Sequence, residues 1–163
     1  MSNFIIRVAN DDLLFSASHF ITFEGGACEA LHGHDYHVAA EVRGPLNSNQ
    51  YVIDFAILHD VLKSILKELD HRVLLPQNHL RIDIRTIGAE LEVSLGGHRW
   101  VLPKDDCVLL PVANTTSEML AQYLAARISE GLSARKIAPP KHIRVEIREC
   151  SGFSAIYQLD SNE

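Results

Sequence analysis

No apolar run in this 163-residue chain approaches the roughly 18 residues that a membrane-crossing helix needs. The opening stretch, residues 1–12, lacks the charged segment and long apolar stretch of an export signal, so a soluble cytoplasmic protein is expected. Cysteine is scarce, and Cys28, Cys107 and Cys150 are odd in number and fit no disulfide framework, which suits a reducing compartment. Basic blocks are missing as well. The 15 Lys and Arg are scattered among 21 Asp and Glu for a net charge of −6, which argues against a nucleic-acid or anionic-membrane surface and leaves anionic small molecules open through local basic groups. There is no repeat, and proline gathers only at Pro139-Pro140, so one domain over 1–163 is expected.

What is present is clear periodicity. Residues 4–9 and 13–22 read as extended, and Tyr36 to Arg43 alternates as a strand that Gly44-Pro45 ends. Phe55, Leu58, Val61, Leu62, Ile65, Leu66 and Leu69 recur at helical steps behind Asp54 as N-cap. A second helix is expected to begin at Thr115, with Thr115-Thr116-Ser117-Glu118 as capping box, and to end near Gly131. Between the helices, Leu80–Ile87, Glu90–Leu95 and His98–Leu102 read as a hairpin or meander. His142–Glu149 and Ser154–Leu159 close the chain as strands joined through Ser151-Gly152. The order is ββαββ(β)αββ, an α+β fold with both helices on one sheet face.

The densest chemical signal is Cys28-Glu29-Ala30-Leu31-His32-Gly33-His34. In extended chain His32 and His34 point to one side, about 7 Å apart at Cα, and Gly33 lets the backbone bend. His19 on the preceding strand would complete three nitrogen ligands with an open position, the arrangement of catalytic zinc. His37 is the alternative ligand, and a polar turn is the bland reading of His-Gly-His. His59, His79, His98 and His142 read as surface residues. Cys28 would face substrate beside the metal as a thiolate, or be a small buried hydrophobe, which is the reading for Cys107; Cys150 fits either. Asp70-His71 is a polar helix terminus or a proton relay. Glu149 falls on the strand face of Ile143, Val145 and Ile147, opposite Arg144, Glu146 and Arg148. A carboxylate there needs a donor-rich partner, unless the strand ends before it. Together these residues point to metal-assisted proton shuttling on a small polar molecule.

In order, Phe15-Ser16-Ala17-Ser18-His19, Cys28-x-x-x-His32-Gly33-His34, Val52-Ile53-Asp54-Phe55, Leu69-Asp70-His71, Thr116-Ser117-Glu118 and Glu149 resemble the motif set of the 6-pyruvoyl/6-carboxy-tetrahydropterin synthase family. The resemblance spans nearly the whole chain. It implies the tunnelling fold, an antiparallel sheet with two helices whose trimers stack as a hexamer. It also implies zinc on His19, His32 and His34, proton transfer by Cys28 with Asp70 and His71, and a reduced pterin triphosphate, 7,8-dihydroneopterin triphosphate, held by Glu149 with support from Thr116. The short Cys-x-x-x-His-Gly-His spacing resembles the 6-carboxy-tetrahydropterin synthases of the queuosine pathway, whereas 6-pyruvoyl enzymes have a longer one. Glu29-x-x-His-Gly-His resembles members that release 6-hydroxymethyl-dihydropterin for folate, so Glu29 is a further catalytic candidate, and that reaction, alone or as a dual activity, and 6-pyruvoyl synthesis are the alternatives to 6-carboxy-tetrahydropterin formation. Residues 77–112 are longer than the family's usual link and could extend the sheet or cap the pocket. The competing classes are a non-catalytic zinc or pterin binder and an interaction module built on 80–102.

Overall fold

The computed structural model describes residues 4–160. In chain order these form β1 (Phe4–Val8), β2 (Leu14–His19), β3 (His32–Gly44), α1 (Phe55–Leu69), β4 (Arg72–Pro76), β5 (Asp83–Ile87), β6 (Glu90–Leu95), β7 (His98–Pro103), β8 (Cys107–Leu110), α2 (Ser117–Ala134), β9 (His142–Cys150) and β10 (Phe153–Asp160). β3 organises the main sheet. One edge pairs with β9, and the other takes β2 on its first half and β1 on its second. The sheet order is β10-β9-β3-β2-β4-β8, with antiparallel ladders except at β2–β4 and β4–β8, which are parallel.

Alternation along each strand decides where the core lies. Phe15, Ala17, Tyr36, Val38, Ala40, Val42, Ile143, Val145 and Ile147 are buried and meet Leu58, Leu62, Leu66, Leu120, Leu124 and Ile128 from the helices. Both helices therefore cover one face, as the α+β reading requires. Asp54 caps α1 by accepting from Ala56 N at 2.8 Å, but Phe55 is 57% exposed and lies off the buried stripe.

β4 and β8 carry no period-2 signal because both their faces are apolar. Leu74 enters the main core while Leu75 joins a second one, the pattern of a strand covered on both sides. That second core is built largely by the meander β5–β7, a separate three-stranded sheet that does not extend the first. Leu91, Val93 and Leu95 pack there against Phe20 and Leu75, and Trp100 stacks on Phe20 at 4.6 Å. The first meander strand starts at Asp83, later than expected, and Leu80 is 100% exposed.

The cap of α2 stands one residue later than the expected Thr115, and the helix itself begins at Ser117. Thr116 is the N-cap, accepting from Met119 N at 3.4 Å, because the Thr115 hydroxyl is already engaged, donating to the Phe20 carbonyl at 2.9 Å. The helix also runs past Gly131 to Ala134. Gly131 lies where the helices touch, and a Cβ there would stand 2.8 Å from Val61 Cγ1. Gly131→Val should therefore cost about 1–3 kcal/mol through overpacking. The check is a lower urea midpoint at unchanged slope.

Candidate metal centre and pocket

The β2–β3 register sets His19 opposite His32 and Ala17 opposite His34. His32, His34 and Tyr36 alternate on one face of β3, and the rings of His19, His32 and His34 converge with centroids 4.7, 4.9 and 5.2 Å apart. Gly33 permits this approach, since a Cβ there would come within 3.0 Å of the Ala17 carbonyl oxygen. His37 points to the other face, pairing with Leu14 and Arg148 across the strands, and does not join the group.

Three features show that the nitrogens fit a metal. His19 Nδ1 donates to the Thr115 carbonyl and His32 Nδ1 to the Ala30 carbonyl, each at 2.8 Å. Both rings thus present Nε2 as the lone-pair nitrogen, the usual second-layer support of zinc-binding imidazoles. His34 Nε2 is buried without a hydrogen-bond partner. Glu149 Oε1 lies 2.8 Å from it, at ion-pair distance but without hydrogen-bond geometry. His19 is 1% exposed, and burial pushes its pKa below the usual histidine value despite the opposing pull of the Thr115 carbonyl and Glu149. It is therefore held neutral, as a ligand must be. His19, His32, His34 and Glu149 all offer ligand atoms within 4.8 Å of one another, a donor set that could hold a metal ion.

Glu149 follows Ile143, Val145 and Ile147 on the helix-facing side of β9. It is the extra residue where the β9–β10 register shifts between Phe153 and Ser154, and a bulge of this kind re-aims a side chain. Its Oε2 accepts from Ser117 Oγ at 2.8 Å, at the start of α2, where the helix dipole favours an anion.

A cavity of about 430 Å³ opens beside these groups, lined by His19, Ile21, Glu29, Thr116, Ser117, Glu149 and Phe153 among others, a volume suited to a small ligand. Glu29 Oε2 is 3.8 Å from His32 Nε2 and accepts from Ile21 N at 3.3 Å. Cys28 takes the opposite direction and packs half-buried on the second apolar core. His71 is also away from this cavity. Its side chain, 82% exposed and 3.0 Å from Asp70 Oδ2, opens on a second depression of about 480 Å³ bounded by Ser16, Ser18, Gly33, His34 and Asp35. Asp70 accepts from Ser16 N at 2.8 Å, which lowers its pKa.

Several participants carry no motif. Tyr36 is fully buried with its hydroxyl 3.1 Å from His19 Nε2. Burial, reinforced by Glu149 and Glu29, pushes its phenol far above the ordinary range and keeps it protonated. Thr115 and Ser117 stand in the expected capping box, but the roles of the Thr115 carbonyl and the Ser117 hydroxyl, like the place of Phe153, are legible only in three dimensions. The β3 alternation that places His32 and His34 also places Tyr36, so that residue alone had a usable signal. His79 is half-buried and bonded to Thr22, not a free surface residue. Cys107 packs on the second core, and burial raises its thiol pKa.

Residues 10–160 match the model of the family described as 6-pyruvoyl tetrahydropterin synthase. A protein of Methanocaldococcus jannaschii named putative 6-carboxy-5,6,7,8-tetrahydropterin synthase is 33% identical over 147 residues, 90% of each chain. A dihydroneopterin monophosphate aldolase of Pyrococcus furiosus is 40% identical over 60 residues, covering 37% of this chain and 50% of the aldolase. The 6-pyruvoyltetrahydropterin synthase of Plasmodium vivax superposes with a TM-score of 0.90 at 27% identity, over 99% of this chain and 100% of that one. Two further structures of the Plasmodium protein carry alanine or cysteine in place of a glutamate described there as a catalytic residue.

Proposed function

Since the chain belongs to the 6-pyruvoyl tetrahydropterin synthase family, whose tunnelling fold and lyase character it shares, we propose that it is a zinc-dependent lyase acting on 7,8-dihydroneopterin triphosphate. The product we assign is 6-carboxy-5,6,7,8-tetrahydropterin, for the queuosine pathway. The observation that carries the reading is the convergence of three imidazole nitrogens on Glu149, beside a cavity that His19, Glu149 and Glu29 line. The name of the Methanocaldococcus relative, matched over 90% of both chains, supports the product.

His19, His32 and His34 would hold the zinc, which when bound supplies Lewis-acid polarisation of the substrate's side-chain hydroxyls. Glu149 accepts hydrogen bonds from the guanidine-like edge of the pterin, and Thr116 flanks the ring. The family resemblance gives the protons on the side-chain carbons to Cys28 with Asp70 and His71, none of which lines this cavity, or to Glu29, which does. The second reading, release of 6-hydroxymethyl-dihydropterin, is favoured by Glu29 lining the cavity while Cys28 does not. A glutamate is also described as a catalytic residue in the Plasmodium protein, so a carboxylate can do the chemistry on this fold. We read the two as reactions of one site, carried by Cys28 and Glu29 respectively.

Chromatography of products from zinc-loaded protein and 7,8-dihydroneopterin triphosphate tests this. Formation of 6-carboxy-tetrahydropterin supports the assignment, 6-hydroxymethyl-dihydropterin alone selects the second reading, and neither product overturns both. Glu149→Gln should weaken pterin binding about 10- to 100-fold, the scale of a hydrogen bond to a charged group, with zinc content unchanged. Zinc loss in that variant would make Glu149 a metal ligand and move the ring anchor elsewhere.

We also read 1–163 as one catalytic domain of a cytoplasmic homo-oligomer. The outer edges of β10 and β8 end the main sheet, and joining copies along them would remove open edges. A hexamer of two trimers is the expected assembly, to be measured by sedimentation equilibrium.

A further inference from the structure

We propose that the meander β5–β7, with His79 at its root, is a positioning element that sets which of the adjacent residues Cys28 and Glu29 faces the cavity. The identity of the affected products rests on the function proposed above; the positioning itself does not.

The segment carrying both residues is short and depends on neighbours for its register. Phe23 N donates to the Ala27 carbonyl at 2.8 Å and Glu29 N to the Ile21 carbonyl at 3.0 Å, around a bridge between Thr22 and Cys28. In such paired extended chain successive side chains take opposite faces. Ile21 and Glu29 accordingly line the cavity, and Thr22 and Cys28 turn the other way. A slip of one residue would exchange the two faces, bringing Cys28 in and taking Glu29 out.

Two independent sets of contacts oppose that slip, and both come from the stretch between the helices. Cys28 and Leu31 pack on the core that Leu91, Val93 and Leu95 form with Phe20 and Leu75. Thr22, the bridge partner of Cys28, has its Oγ1 3.0 Å from His79 Nε2. His79 Nδ1 accepts from Arg81 N and Ile82 N, each at 3.1 Å, so Nε2 carries the proton and donates to Thr22. Asn114, between β8 and α2, accepts from Thr22 N at 3.2 Å and donates to Thr22 O at 3.1 Å, securing the same residue's backbone. His79 and Val93 therefore act on the reaction through the 21–29 segment without lining the cavity.

The test uses full-length protein with Cys107→Ser and Cys150→Ser, so that Cys28 is the sole thiol. In this background Val93→Ala and His79→Ala are compared with the parent for the iodoacetamide alkylation rate of Cys28 and for product ratio. Zinc content and far-UV circular dichroism report that the fold persists. Alkylation should quicken roughly tenfold in each variant, because lost buried methyl groups and a lost partner of Thr22 free the segment. The share of 6-carboxy product should rise at the expense of 6-hydroxymethyl product. His79→Gln, whose amide can still donate to Thr22, should restore parental behaviour. An unchanged alkylation rate overturns the proposal, as does faster alkylation with a constant product ratio. Should the parent form neither product, the functional reading fails, and the alkylation rates alone confirm or refute the positioning role.

Discussion

Replacing His32 and His34 together with alanine leaves the protein without stoichiometric zinc and lowers turnover at least about a thousandfold, since a catalytic metal supplies several kcal/mol of transition-state stabilisation. The expectation rests on ligand count. A catalytic zinc site has about three protein ligands, and the double variant keeps only His19 and whatever Glu149 provides. Little of the fold should be lost with them. The main core is made by other residues of β2 and β3, including Phe15, Ala17, Tyr36 and Val38, and removing a buried nitrogen that has no hydrogen-bond partner relieves a cost in the metal-free protein. Far-UV circular dichroism should match the parent while metal analysis does not. His37→Ala, on the opposite face of β3, should keep both zinc and turnover. Full zinc retention by the double variant would refute the assignment of these ligands.

The features legible in sequence are those set by neighbours along the chain. The His-Gly-His alternation delivers two imidazoles to one side because β3 is regular there, and Ile143, Val145 and Ile147 announce the face on which Glu149 falls. α1 was readable for the same reason, from the spacing of Leu58, Leu62 and Leu66. What escaped depends on contacts between distant segments. β4 hides its strand character because Leu74 and Leu75 enter different cores. Thr115 resembles a cap but is taken by the Phe20 carbonyl, which moves the helix start to Ser117. The opposite orientations of Cys28 and Glu29 follow from extended geometry, yet which of them meets the cavity is decided by pairing with 21–23 and by the meander. Composition places nothing at the second core, so the length of 77–112 was visible while its role was not.

Glu29→Ala should lower formation of 6-hydroxymethyl-dihydropterin by about 10²- to 10⁴-fold, the usual contribution of a positioned general acid or base, while 6-carboxy-tetrahydropterin still forms. Glu29 is placed for proton transfer by its position on the cavity wall and by its Oε2, 3.8 Å from His32 Nε2. The same oxygen accepts from Ile21 N, so a purely structural role would also make the alanine variant slow. Glu29→Gln separates the two explanations. Its amide oxygen can keep the bond to Ile21 N but cannot exchange a proton, so a catalytic Glu29 predicts a glutamine variant as poor as the alanine one, and a structural Glu29 predicts recovery. Cys28→Ala gives the opposite product pattern, with 6-carboxy-tetrahydropterin lost and the hydroxymethyl product retained, because Leu31 on the second core and the bonds of His79 and Asn114 to Thr22 still hold the segment that places Glu29 in the cavity. Zinc content measured alongside ensures that neither change acts through the metal. If Glu29→Ala leaves the hydroxymethyl rate at the parental value, the glutamate is a bystander and a different cavity group moves the proton.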